Sequence, residues 1–211
     1  MNRNALVAPP TLDPRAIQDL MARVDAAFPP GRGRLVGFIA SGDGEGTSSV
    51  AQAYARGVAT HLRRRVLLLD AGSPSIQPPA GGVGSLVGML TALAVQRSNL
   101  PPASGGGGAF VEGTPEGISL WQLLPRTELW YALRDGYDEI VIDMPSAARS
   151  RLGLAVAPYC DGVAVVIEAE RTRAPVVENL VAHLRTVRAR VLGAVMNRRR
   201  FHLPAPIYRL L

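Results

Sequence analysis

Apolar and polar positions along the chain follow two alternating periods. Continuous apolar runs at 35–40, 66–70, 118–123, 139–143, 163–167 and 191–196 predict strands buried on both faces of a sheet. Between them, apolar residues recur at helical spacing over 47–62, 86–96, 127–134, 146–157 and 174–187. A further amphipathic helix is predicted at 13–28, where Ile17, Leu20, Met21 and Val24 share a face behind an Asp13-Pro14 start. Pro29-Pro30-Gly31 ends it. Strands that alternate with helices are joined by right-handed crossovers. The expected fold class is therefore α/β: a doubly wound, mostly parallel sheet with helices on both faces.

A length of 211 residues suits one such domain. The expected division is a lead and short helix at 1–32, an α/β domain at 33–197 and a basic, apolar tail at 198–211. Inside the domain, 98–116 is read as a flexible linker, because it holds Pro101-Pro102 and the run Gly105-Gly106-Gly107-Gly108. Hydrophobic residues make up 47% and aromatics 5%, which implies an aliphatic core. The single cysteine, Cys160, excludes an internal disulfide and a cysteine-based metal cluster. Beside Val163–Val166 it reads as a small buried hydrophobe. His61, His183 and His202 lack metal-ligand spacing.

Charge changes the picture less than its size suggests. The net charge is +6, and all 23 basic residues are arginine. An Ala-, Gly-, Pro- and Arg-rich composition follows from GC-rich codon usage, so the absence of lysine is not by itself a functional signal. Residues 1–30 show no continuous apolar leader, and no run approaches the roughly 20 apolar residues of a membrane span. A cytoplasmic protein is expected, with peripheral attachment to the inner face of the cytoplasmic membrane as the variant.

The candidate chemistry lies after the first strand. Gly44-Glu45-Gly46-Thr47-Ser48-Ser49 follows the apolar run 35–40 and precedes a helical pattern, which is the setting of a phosphate-binding loop. The glycines let backbone N–H groups converge on an anion. Ser48 stands where a hydroxyl would meet Mg²⁺, and Thr47 occupies the lysine position. A lysine–phosphate pair at 4 Å contributes about 4 kcal/mol at an effective dielectric of 20. Losing half of that in the transition state slows transfer on the order of 30-fold. Two apolar runs end in Asp70 and Asp143, and carboxylates at neighbouring strand ends can hold Mg²⁺ near phosphate.

With these motifs the chain resembles the bacterial tyrosine-kinase ATPases of capsule and exopolysaccharide synthesis, relatives of the septum-site and partitioning ATPases. The matching segments are Gly44-Glu45-Gly46-x-Ser48-Ser49, Arg65–Asp70, Tyr137–Pro145, Asp161–Ile167 and Val191–Asn197. The resemblance covers about residues 33–200. It implies a P-loop fold, ATP or ADP with Mg as cofactor class, Asp143 as the Walker B carboxylate, Asp70 as a metal-proximal carboxylate and Asn197 as an adenine contact. The chain departs from the family pattern at several points. Thr47 replaces the lysine, the second Walker strand ends Asp70-Ala71-Gly72 without a second carboxylate, and the tyrosine-rich tail is reduced to Tyr208. The ring-forming Glu/Arg helix motif is not evident in 16–27.

The leading expectation is a non-catalytic or weakly active kinase relative. It would be a regulatory or binding subunit of polysaccharide synthesis or export, docked on a membrane copolymerase, with homo-oligomers possible. Arg198, Arg199, Arg200 and Tyr208 are then candidate partner or membrane contacts. An active ATPase or tyrosine kinase is the alternative, with Arg171, Arg173 or a partner's arginine replacing the lysine. A partitioning-type, nucleic-acid-associated ATPase ranks last, because no interleaved basic and aromatic surface is apparent.

Overall fold

The structure is a computed structural model that describes residues 14–28, 33–71, 109–113 and 127–198. Its strands are β1 (Arg34–Ala40), β2 (Arg65–Asp70), β3 (Ala109–Gly113), β4 (Glu139–Asp143), β5 (Gly162–Glu168) and β6 (Val191–Asn197). They form one six-stranded sheet in the order β3-β2-β4-β1-β5-β6, and every neighbouring pair is parallel. The helices are α1 (Pro14–Ala27), α2 (Thr47–His61), α3 (Thr127–Gly136), α4 (Leu152–Val156) and α5 (Ala174–Thr186).

The apolar runs are sorted by strand periodicity into two cores. Leu35, Ile39, Leu67, Leu69, Ile140, Ile142, Val163 and Val165 face one side, against Trp130 and Leu133 of α3, Leu152 and Val156 of α4, and Leu180 and Leu184 of α5. The intervening residues Val36, Phe38, Val66, Leu68, Val141, Ala164 and Val166 face the other side, against Ile17, Met21 and Val24 of α1 and Val50, Tyr54 and Val58 of α2. Each fully buried aliphatic side chain contributes roughly 1.5–3 kcal/mol. Two-sided burial is why these strands lack polar alternation. Cys160 is buried as expected, and burial pushes its thiol up, away from reactivity. Gly37 leaves room for close packing: an added Cβ would meet Met144 Cε at 2.1 Å and Cys160 Sγ at 3.1 Å, so the Met144 side chain would have to shift.

Two sequence readings change. β3 lies inside the stretch read as linker, where its five residues pair in register with Arg65–Leu69. The strand expected at 118–123 and the helix expected at 86–96 lie outside the described residues. The helix expected over 146–157 is shortened to α4 and a 3₁₀ turn at Ala157–Tyr159. Serine side chains explain the shortening. Ser146 Oγ accepts from the Arg149 N–H (3.2 Å), and Ser150 Oγ accepts from the Leu152 N–H (3.1 Å), so local bonds compete with helix formation.

At the N-terminal ends of the strands, charges neutralise one another. Fully buried Glu139 accepts from Tyr54 Oη. It also accepts from Arg34 Nε (3.2 Å) and Arg64 Nη1 (3.3 Å). Asp25 of α1 joins the same two arginines at 2.7 and 2.5 Å. Burial raises the Glu139 carboxyl above its ordinary value, while the Tyr54 hydroxyl and Arg34 pull it back. Nearby, Arg65 pairs with Asp138 (2.8 Å) and Arg134 with Asp161 (2.6 Å). Arg64 and Arg65 are therefore structural cations.

Candidate functional site

At the other end of the sheet, β1 runs into a loop that its own residues shape. Gly44 and Gly46 adopt φ +78° and +86°, left-handed values that other residues rarely accept. An added Cβ at Gly46 would lie 2.1 Å from Asn197 Nδ2. Gly46 is the N-cap of α2 and has no side chain to bond the first-turn N–H groups. The N–H groups of Thr47, Ser48 and Ser49 therefore lack intrahelical partners, as at any helix start, and the positive end of the helix dipole faces outward.

This loop borders a cleft of about 510 Å³, a size in the range of small-molecule sites. Gly44, Gly46, Thr47, Ser48 and Ser49 line it, as do Asp70 and Asp143. The two aspartates are register partners at the ends of adjacent strands β2 and β4. Asp143 is buried, whereas Asp70 is exposed. Burial pushes the Asp143 carboxyl up to about 6. A hydrogen bond from Ser48 opposes this shift, and the charge of Asp70 adds to it. Ser48, Asp70 and Asp143 thus form one hard-oxygen group at the mouth of the loop.

Glu45 does not line the cleft. Its side chain turns back, and Oε1 accepts from Ser41 Oγ (2.8 Å) and the Gly42 N–H (2.9 Å). The Glu45 side chain is thus a brace of the loop. Asn197 is buried and also absent from the cleft lining. Its Nδ2 donates to the Glu45 carbonyl (2.8 Å), and its Oδ1 accepts from the Arg198 N–H (2.9 Å). The adenine-contact role implied for Asn197 is therefore set beside an observed one, pinning the loop to the end of β6.

Two arginines reach the cleft that the sequence reading had not placed there. Hydrogen bonds from the Ala147 N–H to the Ala40 carbonyl (2.9 Å) and from the Ala148 N–H to the Ser41 carbonyl (3.1 Å) fasten the chain after β4 along the loop. Ser146 Oγ adds a 2.6 Å bond to Asp43. This attachment brings Arg149 to the cleft. Asn197 does the same for Arg198, which lines the cleft while pairing with Glu168 at 3.2 Å. Arg198 is thus a cleft residue and not simply the start of a tail contact. Arg171 pairs with Glu168 at 3.1 Å, and neither Arg171 nor Arg173 lines the cleft. Arg199, Arg200 and Tyr208 lie outside the described residues.

These residues fit the phosphate half of a nucleotide and a hard divalent cation. Mg²⁺ is usually held by one or two carboxylates, waters and substrate phosphates, and Ser48, Asp70 and Asp143 could supply the protein part. Among the described residues, no group of three or more His, Cys, Asp or Glu forms a metal site without such help. Bound Mg²⁺ would screen phosphate charge; Ser48 would orient it, and the loop N–H groups would hold the oxygens.

No family model matches the chain, and no curated protein matches it by sequence. Solved structures do match. The VpsO kinase domain is 22% identical, with 88% of this chain and 97% of that one covered at a TM-score of 0.57. The kinase domain of the Escherichia coli tyrosine kinase ETK is 18% identical, with 90% and 79% covered and a TM-score of 0.62. A complex of a substituted Cyanothece McdA with ATP is 14% identical, with 78% and 70% covered and a TM-score of 0.52. The chain therefore has the doubly wound α/β fold of bacterial tyrosine-kinase domains, in agreement with the motifs. Among the described residues no helix is long and apolar enough to cross a membrane.

Proposed function

We propose that this chain is a kinase-fold protein that has kept the phosphate loop and lost efficient phosphoryl transfer. On this reading it serves as a regulatory or binding subunit of exopolysaccharide synthesis or export, docked on the cytoplasmic side of a membrane copolymerase. The observation that carries the reading is a loop of intact shape with Thr47 at its cationic position, in a chain without lysine. Asp70-Ala71-Gly72 lacks the second carboxylate, and a single Tyr208 remains of the tyrosine cluster. ATP or ADP with Mg²⁺ suits the cleft, and docking requires neither. Folds alone do not fix function, so the pathway rests on the motif resemblance.

The test mixes the purified protein with Mg-ATP and the cytoplasmic segment of a polysaccharide copolymerase. Complex formation is read by light scattering, and tyrosine phosphorylation by mass spectrometry. The expected result is a complex with no phosphate on Tyr208. Phosphate on Tyr208, or no complex, contradicts the reading. A second reading, an active ATPase, is favoured by one observation: Arg149 and Arg198 bring positive charge to the cleft. ATP turnover that disappears in Asp143→Asn would establish it.

A further inference from the structure

We infer that the cleft binds the di- or triphosphate group of its ligand through Arg149 and Arg198, which together supply the cationic charge missing at Thr47. This deepens the proposed function and rests on its premise of a retained phosphate loop. Three features place a polyphosphate there. The loop turns the unpaired N–H groups of Thr47–Ser49 outward at the start of α2. Both arginines line the same 510 Å³ cleft as those residues. Each arginine is held near the loop by a separate attachment: Arg149 by the backbone bonds of Ala147 and Ala148 to β1 and Ser41, and Arg198 by the Asn197 amide.

The state of the two side chains suits ligand capture. Arg149 is exposed and has no ion pair among the described residues. Arg198 is 41% exposed and pairs with Glu168, which also holds Arg171. An exposed pair of this kind is weak, so a phosphate can take Arg198 while Arg171 continues to neutralise Glu168. Arg198 also has a left-handed backbone (φ +55°), held where Asn197 Oδ1 accepts its N–H. A guanidinium grips phosphate oxygens in a planar fork, whereas a lysine acts as a point charge. Two such forks on one cleft can hold a phosphate chain at two points.

Calorimetric titration of the full chain at fixed ionic strength tests this, with inorganic tripolyphosphate and ATP as separate probes. Equal affinity for the two assigns binding to the phosphates alone; tighter ATP binding adds a contribution from the nucleoside, and both results support the proposal if the arginines matter. Arg149→Ala and Arg198→Ala are each expected to weaken tripolyphosphate binding about 10-fold or more. Arg185→Ala is expected to leave it within about twofold, because exposed Arg185 lies in the last turn of α5, ahead of β6. Thermal melts verify that the variants fold, and Arg149→Lys should recover part of the loss. No tripolyphosphate binding by the wild type overturns the inference, while a copolymerase complex would still stand. Binding that is equal in all variants, or equally weak in Arg185→Ala, also overturns it.

Discussion

The two ends of the parallel sheet treat charge in opposite ways. At the N-terminal ends of the strands, Arg34, Arg64, Glu139, Asp25 and the Tyr54 hydroxyl satisfy one another. At the C-terminal ends, the loop leaves helix N–H groups unpaired, Asp143 and Asp70 are brought together, and Arg149 stands without an ion pair among the described residues. The first arrangement stabilises the fold, with α1 tied to the sheet. The second leaves interactions for something that arrives, at the strand ends where ligands of open α/β sheets bind. A charged cluster is thus informative about ligands only when its members are not already used by each other.

The contrast can be broken hardest at the buried end. Glu139→Ala leaves the Tyr54 hydroxyl without its acceptor and Arg34 and Arg64 with Asp25 as their remaining carboxylate, and a loss of about 3–5 kcal/mol is expected in denaturant unfolding. A variant as stable as wild type would show that the cluster is not structural.

The next effect has the opposite sign. Asp143 has a folded pKa of about 6, against about 3.9 unfolded. Its protonation stabilises the native state below about pH 4, and that contribution is lost as pH rises through 6. Asp143→Asn removes this titration. The variant should match wild type near pH 4 and exceed it by roughly 2–3 kcal/mol at pH 7. Equal stability at both pH values would remove Asp143 from the strained, ligand-ready end.

Asn197→Ala should cost about 1–3 kcal/mol, because the Glu45 carbonyl and Arg198 N–H lose their partners. It should also weaken tripolyphosphate binding by releasing Arg198, which thermal melts and titration would separate. The smallest effect is expected at exposed Arg171. Arg171→Ala should leave the melting midpoint unchanged within error and abolish neither probe's binding. Loss of binding there would return the cationic role to the strand-end position expected from sequence.

Most of the fold was legible because β1, β2, β4 and β5 are continuous apolar runs, whose order dictates a crossover sheet. β3 was not, since Ala109–Gly113 follows four glycines and pairs only through long-range register with β2. The loop glycines and both aspartates were legible as motif letters, and register confirms that the carboxylates are neighbours. Arg149 was not, because nothing in its local sequence marks it; hydrogen bonds between residues more than a hundred positions apart bring it to the loop. Asn197 was read as an adenine contact through the family resemblance, whereas its buried amide already has backbone partners.

The central claim is a site that holds phosphate without moving it. A single-turnover experiment tests it most directly: excess protein is mixed with γ-labelled Mg-ATP, bound nucleotide is separated from free, and the label is followed. The expected result is labelled ATP bound to the protein, with release no faster than the protein-free background. Release or transfer of the label to tyrosine above that background, absent in Asp143→Asn, would contradict it.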